Sequence, residues 1–162
     1  MTTKAESHVD VLIASKDRKE LANALSMALA DTYILYVKTQ NFHWNVKGKQ
    51  FVSLHKLFEE QYVELTAAVD LIAERIRALG YFAPGSFAEF LKLTCLEEGD
   101  SRMPAEQMIE ALMKDNEKIT QTLRTALSKA EEFHDHATVD LFTDRMSAHE
   151  KAGWMLRALI EE

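Results

Sequence analysis

The chain has 162 residues, a single cysteine and a net charge of −7 at neutral pH. That length points to one domain able to bury a core without disulfides, and one cysteine excludes an intrachain bridge and fits a reducing compartment. The acidic balance disfavours phosphate-rich partners unless basic groups are concentrated somewhere, and suits a protein that attracts cations.

The opening stretch MTTKAESHVDVLIASKDRKE contains one short apolar run, VLIA, too short for a signal-peptide core or a membrane span. No later stretch approaches ~18 uncharged apolar residues, so the expected setting is the cytoplasm, with no membrane partner. Residues 1–16, which include His8, read as a partly flexible tail, and residues 17–162 read as the folded domain.

The first helical segment is predicted over residues 17–46, where Leu21, Leu25, Met27, Leu29, Ile34, Leu35 and Val37 recur with helical rather than alternating spacing. The second spans residues 52–79. A short helix is predicted from Ser86, because Ser86-Phe-Ala-Glu89 has the capping-box pattern. The third long segment opens at Pro104, a residue favoured in the first helical turn, and ends near Ala130. The fourth covers residues 136–160. Gly48, the Gly80/Pro84/Gly85 group and the Gly99/Pro104 pair mark the breaks, whereas Gly153 inside the last helix marks a close helix contact. No segment reads as a strand. Four helices of about 25 residues, each ~38 Å long, make an all-α four-helix bundle. The connection over residues 80–103 is long enough to cross the bundle and carry its own small helix. Cys95 reads as a buried small apolar residue.

The chemistry concentrates in QNFHWNVKGKQFVSLH and the helix that follows. His43 ends the first segment, and His55 opens the second just past Gly48. On that second helix, His55 with Glu59 and Asp70 with Glu74 are pairs at i, i+4, so each pair lies on one face. At about 100° per residue all four point into one sector roughly 100° wide, shared by Tyr62, Thr66 and Ala73. An ordinary solvated polar face is the plain alternative. His55 and Asp70 are ~22 Å apart along the helix axis, so no single metal centre in one chain spans them. Two copies of this helix packed antiparallel would bring Asp70 and Glu74 of one chain to His43, His55 and Glu59 of another, making two equivalent sites about an axis near Glu64 and Leu65. Alternatively, the two ends are unrelated. Mixed histidine and carboxylate ligands suit iron, zinc or manganese better than calcium and lack the thiolates of structural zinc.

NFHWNVKG, then FxxLH, then VDLIAER resembles the Dps family, the dodecameric mini-ferritins. The likeness continues through SFAEF, MPAEQMIEALMKDNEKI, ATVDLFTDRM and HEKAGWML, over about residues 15–160. The resemblance implies a ferritin-like bundle assembled as a homo-oligomeric hollow shell of twelve subunits. It implies a ferroxidase activity, with two iron ions bound at each shared interface centre and other divalent metals able to substitute. His43, His55, Asp70 and Glu74 match the family's iron ligands, Glu59 stands where many members have aspartate, and Trp44 matches the tryptophan beside the centre. Packing is the plain alternative for Trp44. Fe(II) is expected to be oxidised, preferably by hydrogen peroxide, and stored inside as Fe(III) mineral against acidic groups such as Glu60 and Glu64, protecting DNA from oxidative damage.

The family's acidic three-fold pore is matched best by Asp140, then Asp144, with Asp135 and Glu131 as weaker candidates. The alternative for Asp140 is compensation of the helix dipole. Glu131-x-x-His134 has the spacing of larger di-iron bundles, but it stands alone near a helix end beside His136 and reads as surface. His149 reads as a hydrogen-bonded or exposed histidine. Family members also bind DNA, often through a lysine-rich tail. Here Lys4 and Lys16 are offset by Glu6, Asp10 and Asp17, so direct binding is expected to be weak at physiological salt, and with it any placement on the nucleoid. A DNA-compacting shell and a scaffold without iron chemistry are the rival functions.

Overall fold

The computed structural model describes residues 9 and 11–161; His8 and the tail charges Lys4, Glu6 and Asp10 lie outside them. The described residues form five helices and no strand: α1 (Ser15–Asn45), α2 (Phe51–Ala78), α3 (Phe87–Leu93), α4 (Ala105–Glu132) and α5 (His136–Arg157). The four-helix expectation with a short crossover helix therefore holds. α1 packs along α2 and α4 packs along α5, while α3 rests on α1. α1 also meets α4, whereas α2 and α5 touch only sparsely.

Core residues explain this order. α1 buries Leu21, Leu25, Leu29, Leu35 and Phe42, a stripe whose steps are four residues or sums of threes and fours. α2 faces it with Leu54, Phe58, Leu65, Ile72 and Ile76, and α4 adds Met108, Leu112, Ile119 and Leu123. Burial of such side chains contributes roughly 1.5–3 kcal/mol each before chain entropy is charged against it.

The helix ends follow local chemistry. Val46 is extended and its N–H donates to the Phe42 carbonyl, and Gly48 takes φ +115°, which allows the tight reversal into α2. Gly80, at φ +88°, ends α2, and a Cβ there would meet Val9 Cγ2 at 2.8 Å. Ser86 caps α3 through its hydroxyl, which donates to the Glu89 carboxylate (2.8 Å) while Glu89 N–H donates back to the Ser86 oxygen (3.4 Å). Pro104 stands just ahead of α4 rather than in its first turn. Its ring supplies φ −62°, but its ψ of 154° is extended. Gly153 does face α4, but a Cβ there would lie an ordinary 3.9 Å from Asn116 Cβ, so the contact does not require glycine.

Cys95 departs from the expected apolar filler. It is half-buried, its N–H donates to Asp31 Oδ1 (2.8 Å) and its thiol to Oδ2 (3.4 Å). Burial and the Asp31 charge push the thiol's pKa up, which keeps it protonated. Asp31 is itself buried in α1, so Cys95 ties the crossover to the bundle.

Candidate metal centre

The Gly48 turn folds the start of α2 back onto the end of α1, and His43 and His55 meet there. Their rings stack with centroids 3.8 Å apart. Each ring's Nδ1 lies against the other residue's backbone carbonyl: His43 Nδ1 to His55 O at 2.7 Å, and His55 Nδ1 to His43 O at 2.8 Å. A carbonyl only accepts, so both Nδ1 atoms carry hydrogen and donate. In the neutral ring this leaves the lone pair on Nε2, the form that binds a metal. Phe51 flanks His55 (5.2 Å) and the edge of Tyr62 meets His43 (5.2 Å). His43 is buried and His55 half-buried, while Trp44 is 66% exposed.

Glu59, one turn beyond His55, is exposed, and so are Asp70 and Glu74. The structure brings the two histidines together but leaves Asp70 and Glu74 far along α2, about 22 Å and about 28 Å from His55 by helical rise. Among the described residues of a single chain, no three or more histidine, cysteine or acidic residues converge to hold a metal. The sector carrying His55, Glu59, Asp70 and Glu74 also exposes Val63 (57%) and Val52 (63%). This face of α2 is therefore acidic with apolar residues between, and the chain's own helices do not cover it.

The far end of α2 is clamped to the start of α5. Arg75 donates from Nε to Thr138 Oγ1 (2.9 Å) and from Nη2 to Asp135 Oδ1 (2.6 Å), and Thr138 Oγ1 donates to Asp135 Oδ2 (2.6 Å). Burial alone would raise the Asp135 pKa, but the hydrogen bonds from Arg75 and Thr138 outweigh it and hold the carboxyl below its usual value. Asp135 is buried and caps α5, so it is not available to line a pore; the local cap and the arginine claim it. Asp140 and Asp144 are exposed on α5. Glu131 and His134 are exposed at the end of α4, with His134 at φ +56°, which agrees with a surface position.

Between the two ends, Glu64 pairs with both terminal nitrogens of Arg145, beside a cleft of about 270 Å³ that Glu64 and His149 line together with Asn116 of α4. Arg145 reaches toward His149 Nε2 (3.4 Å), and His149 Nδ1 bonds Asn116 Oδ1 (2.8 Å). His149 is 2% exposed, so it is the buried, hydrogen-bonded alternative that holds. Burial first, and the Arg145 charge second, lower its pKa to about 3. The i, i+4 spacing of Arg145 and His149 was readable in the sequence, but their partners on α2 and α4 were not.

The ferritin-like domain family matches residues 22–162. DNA protection during starvation protein 2 of Bacillus anthracis is 38% identical over 89% of this chain and 99% of its own length. The chain belongs to the Dps family. A low temperature-induced protein of Nostoc sp. is 41% identical to this Dps chain over 94% of it and 87% of the relative. The crystal structure of the Dps protein of Vibrio cholerae O1, described as a member of a broad superfamily of ferritin-like diiron-carboxylate proteins, aligns with a TM-score of 0.91 at 30% identity. That alignment covers 98% of this chain and 100% of the other. Among the described residues of the Dps chain, no helix is long and apolar enough to cross a membrane.

Proposed function

We propose that this Dps chain assembles into a homo-oligomeric shell of twelve copies that oxidises Fe(II) at centres shared between two subunits. The observation that carries the reading is the reciprocal His43–His55 lock, which prepares two Nε2 donors at one end of an exposed acidic face. Asp70 and Glu74 occupy the other end of that face, out of reach in one chain, so a second copy packed antiparallel supplies them. The diiron-carboxylate description of the Vibrio cholerae protein supports iron as the substrate.

In this reading Fe(II) binds first at Asp70, Glu74 and His43, and a weaker neighbour binds at His55 and Glu59. Hydrogen peroxide accepts one electron from each Fe(II) and leaves as water, so no hydroxyl radical escapes. The carboxylates stabilise the Fe(III) product, which moves inward and mineralises. Glu60 serves that step better than Glu64, whose carboxylate Arg145 already occupies. Asp140 and Asp144 concentrate Fe(II) at the way in through a carboxylate ring.

Anaerobic titration with Fe(II), followed by stoichiometric peroxide, tests the reading. Saturable binding and fast oxidation without trapped hydroxyl radical are expected, and oxidation no faster than in buffer rejects it. Direct DNA binding is the second reading, favoured by the relative's name. The net charge of −7 per chain predicts poor retention at physiological salt, and retention that persists there would overturn that expectation.

A further inference from the structure

A row of aromatic rings runs from the histidine pair along α1 to the crossover helix α3. Tyr62 meets His43 edge-on at 5.2 Å, Tyr36 meets Tyr62 at 6.1 Å, and Tyr33 meets Tyr36 at 6.5 Å. The row ends where Tyr33 stacks on Phe90 at 4.3 Å, a ring without an oxidisable hydroxyl. Three of the chain's four tyrosines stand in this row, and the fourth, Tyr81, donates its hydroxyl to the Ser15 carbonyl instead. All three are half-buried, sheltered from bulk solvent but not sealed. The Gln40 amide donates to the Tyr36 oxygen (3.2 Å). That oxygen keeps this hydrogen bond after its own hydrogen has left.

Packing alone does not require the hydroxyls, since phenylalanine fills the same space. The phenols add ease of one-electron oxidation, and the row begins on His43, the histidine assigned to the tighter iron position. We propose that Tyr62, Tyr36 and Tyr33 form a relay that lends an electron to an iron centre holding only one Fe(II). The proposal rests on the iron reading above.

The steps balance. One Fe(II) and hydrogen peroxide give Fe(III), hydroxide and a hydroxyl radical. Tyr62 gives its phenolic hydrogen atom to that radical, making water and a Tyr62 phenoxyl radical. Tyr36 then gives an electron to Tyr62, whose oxygen takes a proton from water while the Tyr36 proton leaves to water, and Tyr33 can do the same for Tyr36. A second Fe(II) arriving at the centre later returns one electron, a proton comes from water, and the phenol is restored. Two Fe(II) are consumed per peroxide, as in the full centre, but they need not be present together. The relay therefore makes a half-filled centre safe.

The test uses the assembled protein loaded with one Fe(II) per centre, mixed with peroxide, freeze-quenched for electron paramagnetic resonance, and run in parallel with a hydroxyl spin trap. The wild type should give a phenoxyl signal that narrows when the protein is grown on ring-deuterated tyrosine. Tyr62→Phe should lower that signal and raise trapped hydroxyl several-fold. Tyr36→Phe should shorten the signal's lifetime, while Fe(II) oxidation with filled centres stays at the wild-type rate. A signal unaffected by deuterated tyrosine and removed by Trp44→Phe would send the hole outward through Trp44 and overturn the relay, and this arm needs no tyrosine variant to fold. Fast iron oxidation with equal radical and trap yields in the wild type and Tyr62→Phe overturns the relay alone. Wild-type oxidation at the buffer rate removes the iron reading and the relay with it.

Discussion

The two ends of α2 are built differently. At the histidine end, each ring is fixed by the other's backbone carbonyl and by a stacked neighbour, so both Nε2 atoms are set in place by the chain itself. At the carboxylate end, Asp70 and Glu74 stand exposed, and the ordered contacts belong to the next residue, Arg75. The histidine end is ordered by its own chain, whereas the proposed function leaves the carboxylate end to be completed by a second copy and a cation. If the proposed function holds, a centre divided in this way works only in the assembled protein.

The largest effect should come from removing the carboxylate half. Asp70→Ala with Glu74→Ala should reduce rapid Fe(II) oxidation to the buffer rate while circular dichroism stays helical, because both residues are exposed and outside the core. His43→Ala with His55→Ala should do the same from the other end. Mixing the two inactive variants in equal amounts before assembly should restore activity at about a quarter of the centres, since only one of the two sites in each mixed pair is complete. No recovery on mixing would mean that the two halves do not meet between chains.

The next effect concerns the clamp behind the carboxylates. Asp135 is buried and paired, and Asp135→Ala leaves the Arg75 guanidinium short of its partner and α5 without its cap. The expected cost is about 3 kcal/mol, read as a lower denaturant midpoint. Unchanged stability would show that solvent serves Arg75 equally well. Helix boundaries, the crossover helix and the ~22 Å that separates the histidine and carboxylate ends of α2 were legible from periodicity, capping residues and helical rise. The clamp was not. Asp135 follows a histidine and precedes a helix, as a pore residue could. Only the fold brings Arg75, sixty residues earlier in the chain, against it. The histidine lock was hidden for a related reason, because it uses backbone carbonyls, which have no signature in sequence.

Between the ends, the link from α2 to α5 through Glu64, Arg145 and His149 should respond to acid. His149 has a folded pKa of about 3 against an ordinary 6.5. The unfolded chain therefore binds the extra proton first, so stability is level above about pH 6.5 and falls as pH drops toward 3. The slope is roughly 1.4 kcal/mol per pH unit. Asp135, with its depressed pKa, adds a loss in the same direction only below its ordinary value of 3.8. His149→Gln should flatten the slope between pH 6 and 4 and leave the lower part unchanged. An identical slope in that variant would assign the acid sensitivity elsewhere.

The smallest effect sharpens the difference between the ends most closely. Glu59 sits one turn past the fixed His55, on a longer arm than the aspartate many family members have there, and it is exposed. If the histidine half is truly preset, the length of this arm decides whether its carboxylate reaches the weaker iron directly. Glu59→Asp moves the oxygens back by about one methylene, which changes affinity at that position by a few-fold and leaves the tighter Fe(II) unaffected. Titration should then show the second binding phase shifted and the first unmoved. A shift in both phases would mean that the two positions are coupled and that the histidine end is less rigid than its carbonyl locks imply. No shift in either would place Glu59 outside the ligand set, as a charge that draws Fe(II) inward without holding it.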